Sequence, residues 1–589
     1  MQVISQAATT SAVTSGSNPA VFGQAVTFSV KIQSSSSGTP TGTVTLMDGP
    51  ASLGTTALPS NGAAQFAIGN LAPGAHTISA SYSGDTNFAP STAATLTETI
   101  NQASTTATVT SGANPAMFDQ SVTFSVKIQS SSSGTPTGSV TLMDGTNSIG
   151  SMTLPANGVA QFTISSLSLG SHAISANYNG DSNFSSSTAA TLTETINQAS
   201  TTVTVTSGTN PSAFDQAVTF TVKIQPSSGG TPTGTVTLLD GSSSLGSTPL
   251  PTSGVVQFTF ATLLVGSHSI TATYSGDNDF LAGTSAALAQ TVNQAPTTTA
   301  LTSSANPSSY GQTLTFTASV ATSFGGSPTG TVTFFDGGTQ IGSASVSGGF
   351  ARFTAAATSL SAGSHSIVAS YGGDANFTGS SSIAWGQTVN PAATSAALVS
   401  SLNPSVFGQS VTFTATVSSS ISGTQSGTVS FYLDGSSTPT QTSTLSGGTA
   451  QFSTSALGGG SHTVTAAFSS TNANFQGSSS AALTQNVEDF SVSDSPATLT
   501  ISRGHSGTTT LTVQPVFGYS GNVSLSCSGV PVNTTCSLSP SQVSLSGSSV
   551  NATVTIHANQ KATTGSYTIT LKGASGTISH TATLALTVQ

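Results

Sequence analysis

The sequence predicts an all-β chain of tandem β-sandwich domains set in line as an elongated rod. Three observations carry that reading. The chain has 589 residues, several times the roughly 100–150 residues of one domain. The same short motifs return every 96 or 97 residues. Between them lie short apolar–polar alternations bounded by turn residues, and no window holds a helical period.

The repeat orders everything else. Asn-Pro begins at 18, 114, 210, 306 and 403, and Asp-Gly at 48, 144, 240, 336 and 434. A His preceded by Gly-Ser or Gly-Ala stands at 76, 172, 268, 365 and 462. Gly-Asp begins at 84, 180, 276 and 373, whereas the fifth copy reads Ser-Ser-Thr-Asn. Solenoid units run about 20–50 residues, so a period this long is a whole domain. The expected domains are 6–101, 102–197, 198–293, 294–390 and 391–487, followed by a sixth, 488–589, of similar length that lacks these anchors.

Each copy reads as about seven strands. In the first, Val26-Thr27-Phe28-Ser29-Val30-Lys31-Ile32 alternates with period two, as a half-buried strand does. Thr43-Val44-Thr45-Leu46 repeats the pattern and runs into Asp48-Gly49, a hairpin signal of the type I′ turn. Ala64 to Ile68, His76 to Tyr82 and Ala94 to Ile100 supply three more, and Thr10–Thr14 with Leu53–Leu58 complete the set. The inward set is Val26, Phe28, Val30, Ile32, Val44, Leu46, Phe66, Ile68, Ile78, Tyr82, Phe88 and Leu96, with Trp385 replacing Leu96 in the fourth core. A dozen such side chains, at about 1.5–3 kcal/mol each when fully buried, offset much of the ordering cost. Outward positions are mostly Thr and Ser, which suit strands without charge. Seven alternating strands with turns every 8–12 residues fit an immunoglobulin-like sandwich.

Composition removes several function classes. Only 4% of residues are charged, and seven Lys and Arg face seventeen Asp and Glu for a net charge of −10. A nucleic-acid partner needs clustered basic residues, so none is expected. No apolar run reaches the ~20 residues of a membrane-spanning helix, and the first residues carry no visible signal peptide. Val3-Ile4-Ser5-Gln6-Ala7 aligns with Thr99-Ile100-Asn101-Gln102-Ala103, the close of a repeat. That match suggests either a fragment of a longer surface protein or a free strand that adds to a neighbour's sheet edge.

The pattern Gly-Gln-x-Val-Thr-Phe, Pro-Thr-Gly-Thr-Val-Thr-Leu-x-Asp-Gly and Gly-x-His-x-Ile-x-Ala-x-Tyr-x-Gly-Asp-x-Asn-Phe resembles the bacterial immunoglobulin-like repeats of group 3. The likeness covers five units. The last segment, around Cys527 and Cys536, is similar to a different sandwich module that often ends bacterial surface proteins. The resemblance implies a secreted stalk or adhesion protein and transfers no ligand.

The recurring polar residues invite chemistry. His76, His172, His268, His365 and His462 occur once per domain, too far apart to share an ion with ligands about 2 Å from its centre. Six strand residues between His76 and Asp85 imply roughly 20 Å, which excludes a joint site there. The expectation is a corner role: His76, two before Ile78, bonding upstream backbone as the corner tyrosine of such sandwiches does. Asp48, Asp144, Asp240, Asp336 and Asp434 are assigned to hairpin turns. Asp85, Asp181, Asp277 and Asp374 are assigned to turns in which the carboxylate bonds backbone two residues on. The repeat is expected to keep His apart from both Asp, leaving no Ser–His–Asp triad, and no paired carboxylates suit glycoside chemistry.

No cofactor is expected. Calcium at domain junctions is the rival, disfavoured because Asp119 and Asp215 replace Gly23, and Gln290, Gln387 and Gln485 replace Glu98 and Glu194. Cys527 and Cys536, the only cysteines, suggest a disulfide and an oxidising compartment. His505, His557 and His580 are scattered singly. The functional expectation is a non-enzymatic extracellular stalk or adhesin-type spacer. Self-association into filaments, or loops that bind a surface or matrix protein or a glycan, is the alternative.

Overall fold

Alternation along each strand becomes two facing sheets. In the computed structural model, which describes residues 3–589, no described residue is helical. Repeat 1 comprises β1 (Thr9–Ser15), β2 (Ala20–Val21), β3 (Val26–Ser34), β4 (Thr43–Asp48), β5 (Ala51–Ala57), β6 (Ala63–Ile68), β7 (Gly74–Tyr82), β8 (Ser91–Thr92) and β9 (Leu96–Asn101). One sheet has the order β1-β3-β6, and the other β2-β9-β7-β4-β5 with β8 alongside β7. Side chains of a strand point alternately to its two faces, so Val26, Phe28, Val30 and Ile32 of β3 are buried while Lys31 is exposed. They meet Val44, Leu46, Ile78, Ala80 and Tyr82 of the facing sheet in one core. Ile68 and Leu96, expected inside, are only half-buried against that core, one closing β6 and the other opening β9.

The chain divides into two units, Met1–Asn293 and Gln294–Gln589. Repeats 1 to 3 make up the first; repeats 4 and 5 and the last domain make up the second. All five repeats share the two-sheet arrangement. In the first four, the register between the strands equivalent to β4 and β5 shifts by one residue, at Leu46/Met47, Leu142/Met143, Leu238/Leu239 and Phe334/Phe335. Repeat 5 has a four-residue strand there, Gln441–Thr444, paired without a shift. Trp385 is half-buried rather than central, with its indole nitrogen out of reach of a partner.

The strand Leu483–Ser495 runs unbroken through the expected boundary at 487/488: its first half pairs with Gly460–Ser470 of repeat 5 and its second with His505–Val516 of the last domain. The last domain packs that sheet on a second, which contains Thr498–Ile501, Ile578–Val588, Gly565–Ser575, Ser520–Ser528 and Gln542–Ser546. Leu511, Val513, Val523, Val554, Ile556, Ile569, Leu571, Leu584 and Leu586 fill the space between. Cys527 and Cys536 form a disulfide that closes the loop between their two strands.

Candidate functional site

The recurring polar residues assemble into small clamps inside each repeat. Asp48 ends β4 and lies opposite Ile78 of β7. His76, two positions before Ile78, is therefore its diagonal neighbour on the same face. His76 Nδ1 lies 2.7 Å from Asp48 Oδ2, and Nε2 lies 2.6 Å from the Ala72 carbonyl oxygen. The other four copies repeat this contact at 2.7–2.8 Å: His172–Asp144, His268–Asp240, His365–Asp336 and His462–Asp434. Nε2 meets the carbonyls of Ser168, Leu264, Ser361 and Gly458, each at 2.8 Å.

The expected separation of His from the recurring Asp is thus corrected for the first of them, Asp48 and its equivalents, while Asp85 and its equivalents bond elsewhere. It treated the two as far apart in sequence, whereas antiparallel pairing of β4 with β7 closes the gap. Only an imidazolium can donate from both ring nitrogens at once, and both face acceptors here. Burial pulls the His76 pKa down, but the Ala72 carbonyl and the Asp48 carboxylate push it up further, so it ends above its ordinary value. The other four histidines shift the same way against the same opposing burial.

The hairpin expectation is corrected too. In repeats 1 to 3 Asp48, Asp144 and Asp240 remain in their strands, and only Gly49, Gly145 and Gly241 have positive φ, from 53° to 59°. In repeat 4 the positive pair is Gly337 and Gly338, after Asp336. A type I′ turn needs positive φ at both central residues, and Asp-Gly itself supplies that only in repeat 5, at Asp434 (53°) and Gly435 (71°). In repeats 1 to 4 the Asp that was expected to shape the turn points its carboxylate at the histidine instead, and in repeat 5 Asp434 does both.

Asp85 accepts five hydrogen bonds. Its Oδ2 takes Thr41 N (2.7 Å), Thr41 Oγ1 (2.8 Å) and the Tyr82 hydroxyl (3.3 Å), while Oδ1 takes Asn87 N and Phe88 N. Asp181, Asp277 and Asp374 are held alike by Thr137, Thr233 and Thr329 and by the amides two and three residues on. Burial raises the pKa of these three carboxyls, yet the hydrogen bonds outweigh it and the net shift is downward. Burial and the neighbouring Asp push Tyr178, Tyr274 and Tyr371 up to about 12. Repeat 5 lacks both partners: Phe468 replaces the tyrosine, and Asn472 takes the place of the Asp and accepts Asn474 N at 3.0 Å.

Two recurring features carry more than their sequence signal showed. Asn18 Nδ2 donates to Thr97 O at 2.7 Å and its Oδ1 accepts Thr99 N at 3.1 Å, tying the chain before β2 to β9. Asn114, Asn210, Asn306 and Asn403 do the same. Their signal was the invariant Asn before Pro, read only as a period marker. The second is the residue that lies opposite the histidine on the closing strand. Gln290 is fully buried and donates to Thr209 O, Thr291 O and Ser212 Oγ. Glu98 and Glu194 occupy the same niche, equally buried, with Ala20 and Ala116 in place of Ser212, and neither carboxyl has a partner. His580, expected to be a stray, pairs through Nε2 with the buried Asp489 at 2.7 Å. Among the described residues no three His, Cys, Asp or Glu lie together so as to hold a metal ion.

The bacterial Ig-like domain (group 3) family matches residues 13–101, 108–197, 203–293, 301–390 and 398–488. The chain belongs to this family. None of the curated proteins compared with it matches. Among solved structures, Salmonella alpha-2-macroglobulin reacted with methylamine aligns with 99% of this chain and 47% of its own, at 11% identity and a TM-score of 0.24. Trypsin-activated alpha-2-macroglobulin from Escherichia coli aligns with 100% and 49%, at 11% identity and a TM-score of 0.22. The fibronectin(III)-like modules of Clostridium thermocellum CbhA align with 32% of this chain and 92% of theirs, at 17% identity and a TM-score of 0.15. The chain spans less than half the length of the two macroglobulins.

Within the first unit, consecutive group 3 Ig-like domains share a built joint. Ile100 is buried in repeat 1, and Ala103 is buried in repeat 2, where its amide donates to Asn183 O at 3.0 Å. Gln102 Nε2 donates to Asp181 O at 2.7 Å. Beside this crossing, the Phe22 ring packs edge-on against Phe184 with centroids 5.4 Å apart, and Ser132 Oγ donates to Phe22 O. Phe118 on Phe280 (5.7 Å) with Ser228 Oγ on Phe118 O repeats the contact between repeats 2 and 3. In the second unit Tyr310 on Phe475 (5.8 Å) joins repeats 4 and 5.

Proposed function

We propose that the chain is a non-enzymatic, extracellular spacer of the stalk or adhesin type, carrying no cofactor. Tandem group 3 Ig-like domains support a structural or spacer role, and the disulfide fits an oxidising compartment outside the cytosol. One observation carries the reading. The recurring side chains are spent on their own repeat: in all five copies His and Asp on each other and on main chain and Asn on the closing strand, and in repeats 1 to 4 the second Asp on backbone amides. A serine nucleophile would have to stand where Nε2 of each histidine meets a carbonyl oxygen. What recurs is therefore what holds a sandwich closed, as a load-carrying element requires.

Single-molecule extension tests this. Six unfolding steps are expected. Five equal ones come from the repeats, each lengthening the chain by about 300 Å, since ~96 residues extend at ~3.3–3.6 Å each and the folded length is subtracted. A shorter one comes from the last domain, whose disulfide withholds the loop it closes. A single merged transition, or extension without resisted steps, would refute the spacer reading.

A further inference from the structure

The joints are not copies of one another, and their differences are complementary. Three places meet at each: the aromatic of the loop after the strand equivalent to β2, the residue that follows it, and two residues of the next repeat's loop between the strands equivalent to β3 and β4. Between repeats 1 and 2, Gly23 (φ 78°) faces Ser132 and Ser133. A Cβ on Gly23 would lie 2.2 Å from the Ser133 carbonyl oxygen, and Ser133 Oγ donates to Gly23 O at 2.6 Å.

Between repeats 2 and 3 both partners change. Asp119, at φ 58°, takes the place of Gly23, and Gly229 takes the place of Ser133. A Cβ on Gly229 would lie 2.2 Å from Asp119 Oδ2. Gly229 has no left-handed backbone to require it, and a side chain there would have to turn the Asp119 carboxylate out of its place against the loop. Between repeats 4 and 5 the pair changes again. Gly311 (φ 89°) faces Ile421, which stands where repeats 2 and 3 have Ser132 and Ser228, and a Cβ on Gly311 would lie 2.5 Å from Ile421 Cγ2. An Asp there would set a charge against an apolar side chain, at a desolvation cost.

We propose that these facing residues are matched pairs that specify which repeat can dock on which: Gly with Ser-Ser, Asp with Ser-Gly, Gly with Ile. Packed interfaces do not absorb an added heavy atom at 2.2 Å without displacement. Near-identical neighbours in a tandem chain are prone to docking on the wrong partner, and a mismatched pair opposes that. This surface recognises one chemistry, the aromatic-bearing loop of another group 3 repeat with the complementary following residue. The proposal holds whether or not the chain acts as a spacer.

The test uses the full chain with spin labels at Lys127→Cys and Lys223→Cys, both exposed on the outer faces of repeats 2 and 3. Cys527 and Cys536, bonded to each other, do not take label. Pulsed electron–electron resonance then reads the width of the distance distribution across the joint. Gly229→Ser is expected to broaden it at least twofold, and adding Asp119→Gly, which recreates the pairing of repeats 1 and 2, is expected to return it to the parental width. Unchanged strand amide protection in repeats 2 and 3 shows that both still fold. A Gly229→Ser chain as narrow as the parent, or a double variant as broad as Gly229→Ser alone, overturns the proposal.

Discussion

Replacing His268 with Ala is the sharpest probe of the clamp, because no glutamate stands beside it: Gln290 occupies that niche in repeat 3. The substitution removes the 2.7 Å contact to Asp240 and the 2.8 Å contact to the Leu264 carbonyl. A hydrogen bond between charged groups contributes about 1.5–3 kcal/mol and a neutral one about 0.5–1.5 kcal/mol. Asp240 keeps Ser269 N at 3.1 Å, and a quarter of its side chain is open to water, so part of the loss is recovered. A net loss of about 2–3 kcal/mol is expected for repeat 3, or roughly 10–20 °C in its unfolding temperature.

Hydrogen exchange read by mass spectrometry resolves this repeat by repeat, since the copies differ in sequence. The dependence on pH has a definite sign. The folded-state pKa of His268 is raised, so the clamp's stabilisation is fully present below the unfolded value near 6.5 and fades as pH rises through the folded value. The gap between parent and variant is therefore wider at pH 5.5 than at pH 8.5. A gap under about 0.5 kcal/mol at pH 5.5, the size of an ordinary surface substitution, or one that grows toward alkaline pH, would refute the reasoning.

Two further outcomes are expected. Asp277→Ala strands Thr233 N, Asp279 N and Phe280 N and should cost repeat 3 about 2–4 kcal/mol above pH 5 by the same assay. Because the Asp277 pKa is lowered in the folded state, that cost should shrink as pH falls through the folded value, and a cost that is unchanged or larger in strong acid would argue against it. Glu98→Gln should stabilise repeat 1 by about 1–3 kcal/mol, as an amide can donate where the buried carboxyl finds no partner. Adding Ala20→Ser should increase the gain by restoring the hydroxyl that Gln290 meets in repeat 3; thermal unfolding that shows a loss in both would contradict the repeat comparison.

Much of the architecture was legible because it depends on local pattern. Period-two alternation places Phe28 and Val30 inside and Lys31 outside wherever the strand pairs, and a domain-length period locates the repeats without coordinates. Ile68, Leu96 and Trp385 were less legible, since alternation assigns a face but not the depth at a strand end. Asp48 and His76 escaped altogether, standing 28 positions apart and carrying no shared local signature.

The sequence by itself therefore determined the number of repeats, their all-β class and the inward faces of their strands, because these follow from spacing and side-chain alternation along the chain. Only the tertiary structure decided which polar residues meet. Diagonal contact between Asp48 and His76 arises from the pairing of β4 with β7, and the match of Asp119 with Gly229 from the docking of one sandwich end on the next. Both are relations between segments distant in sequence, and they exist only once strands and domains are set side by side.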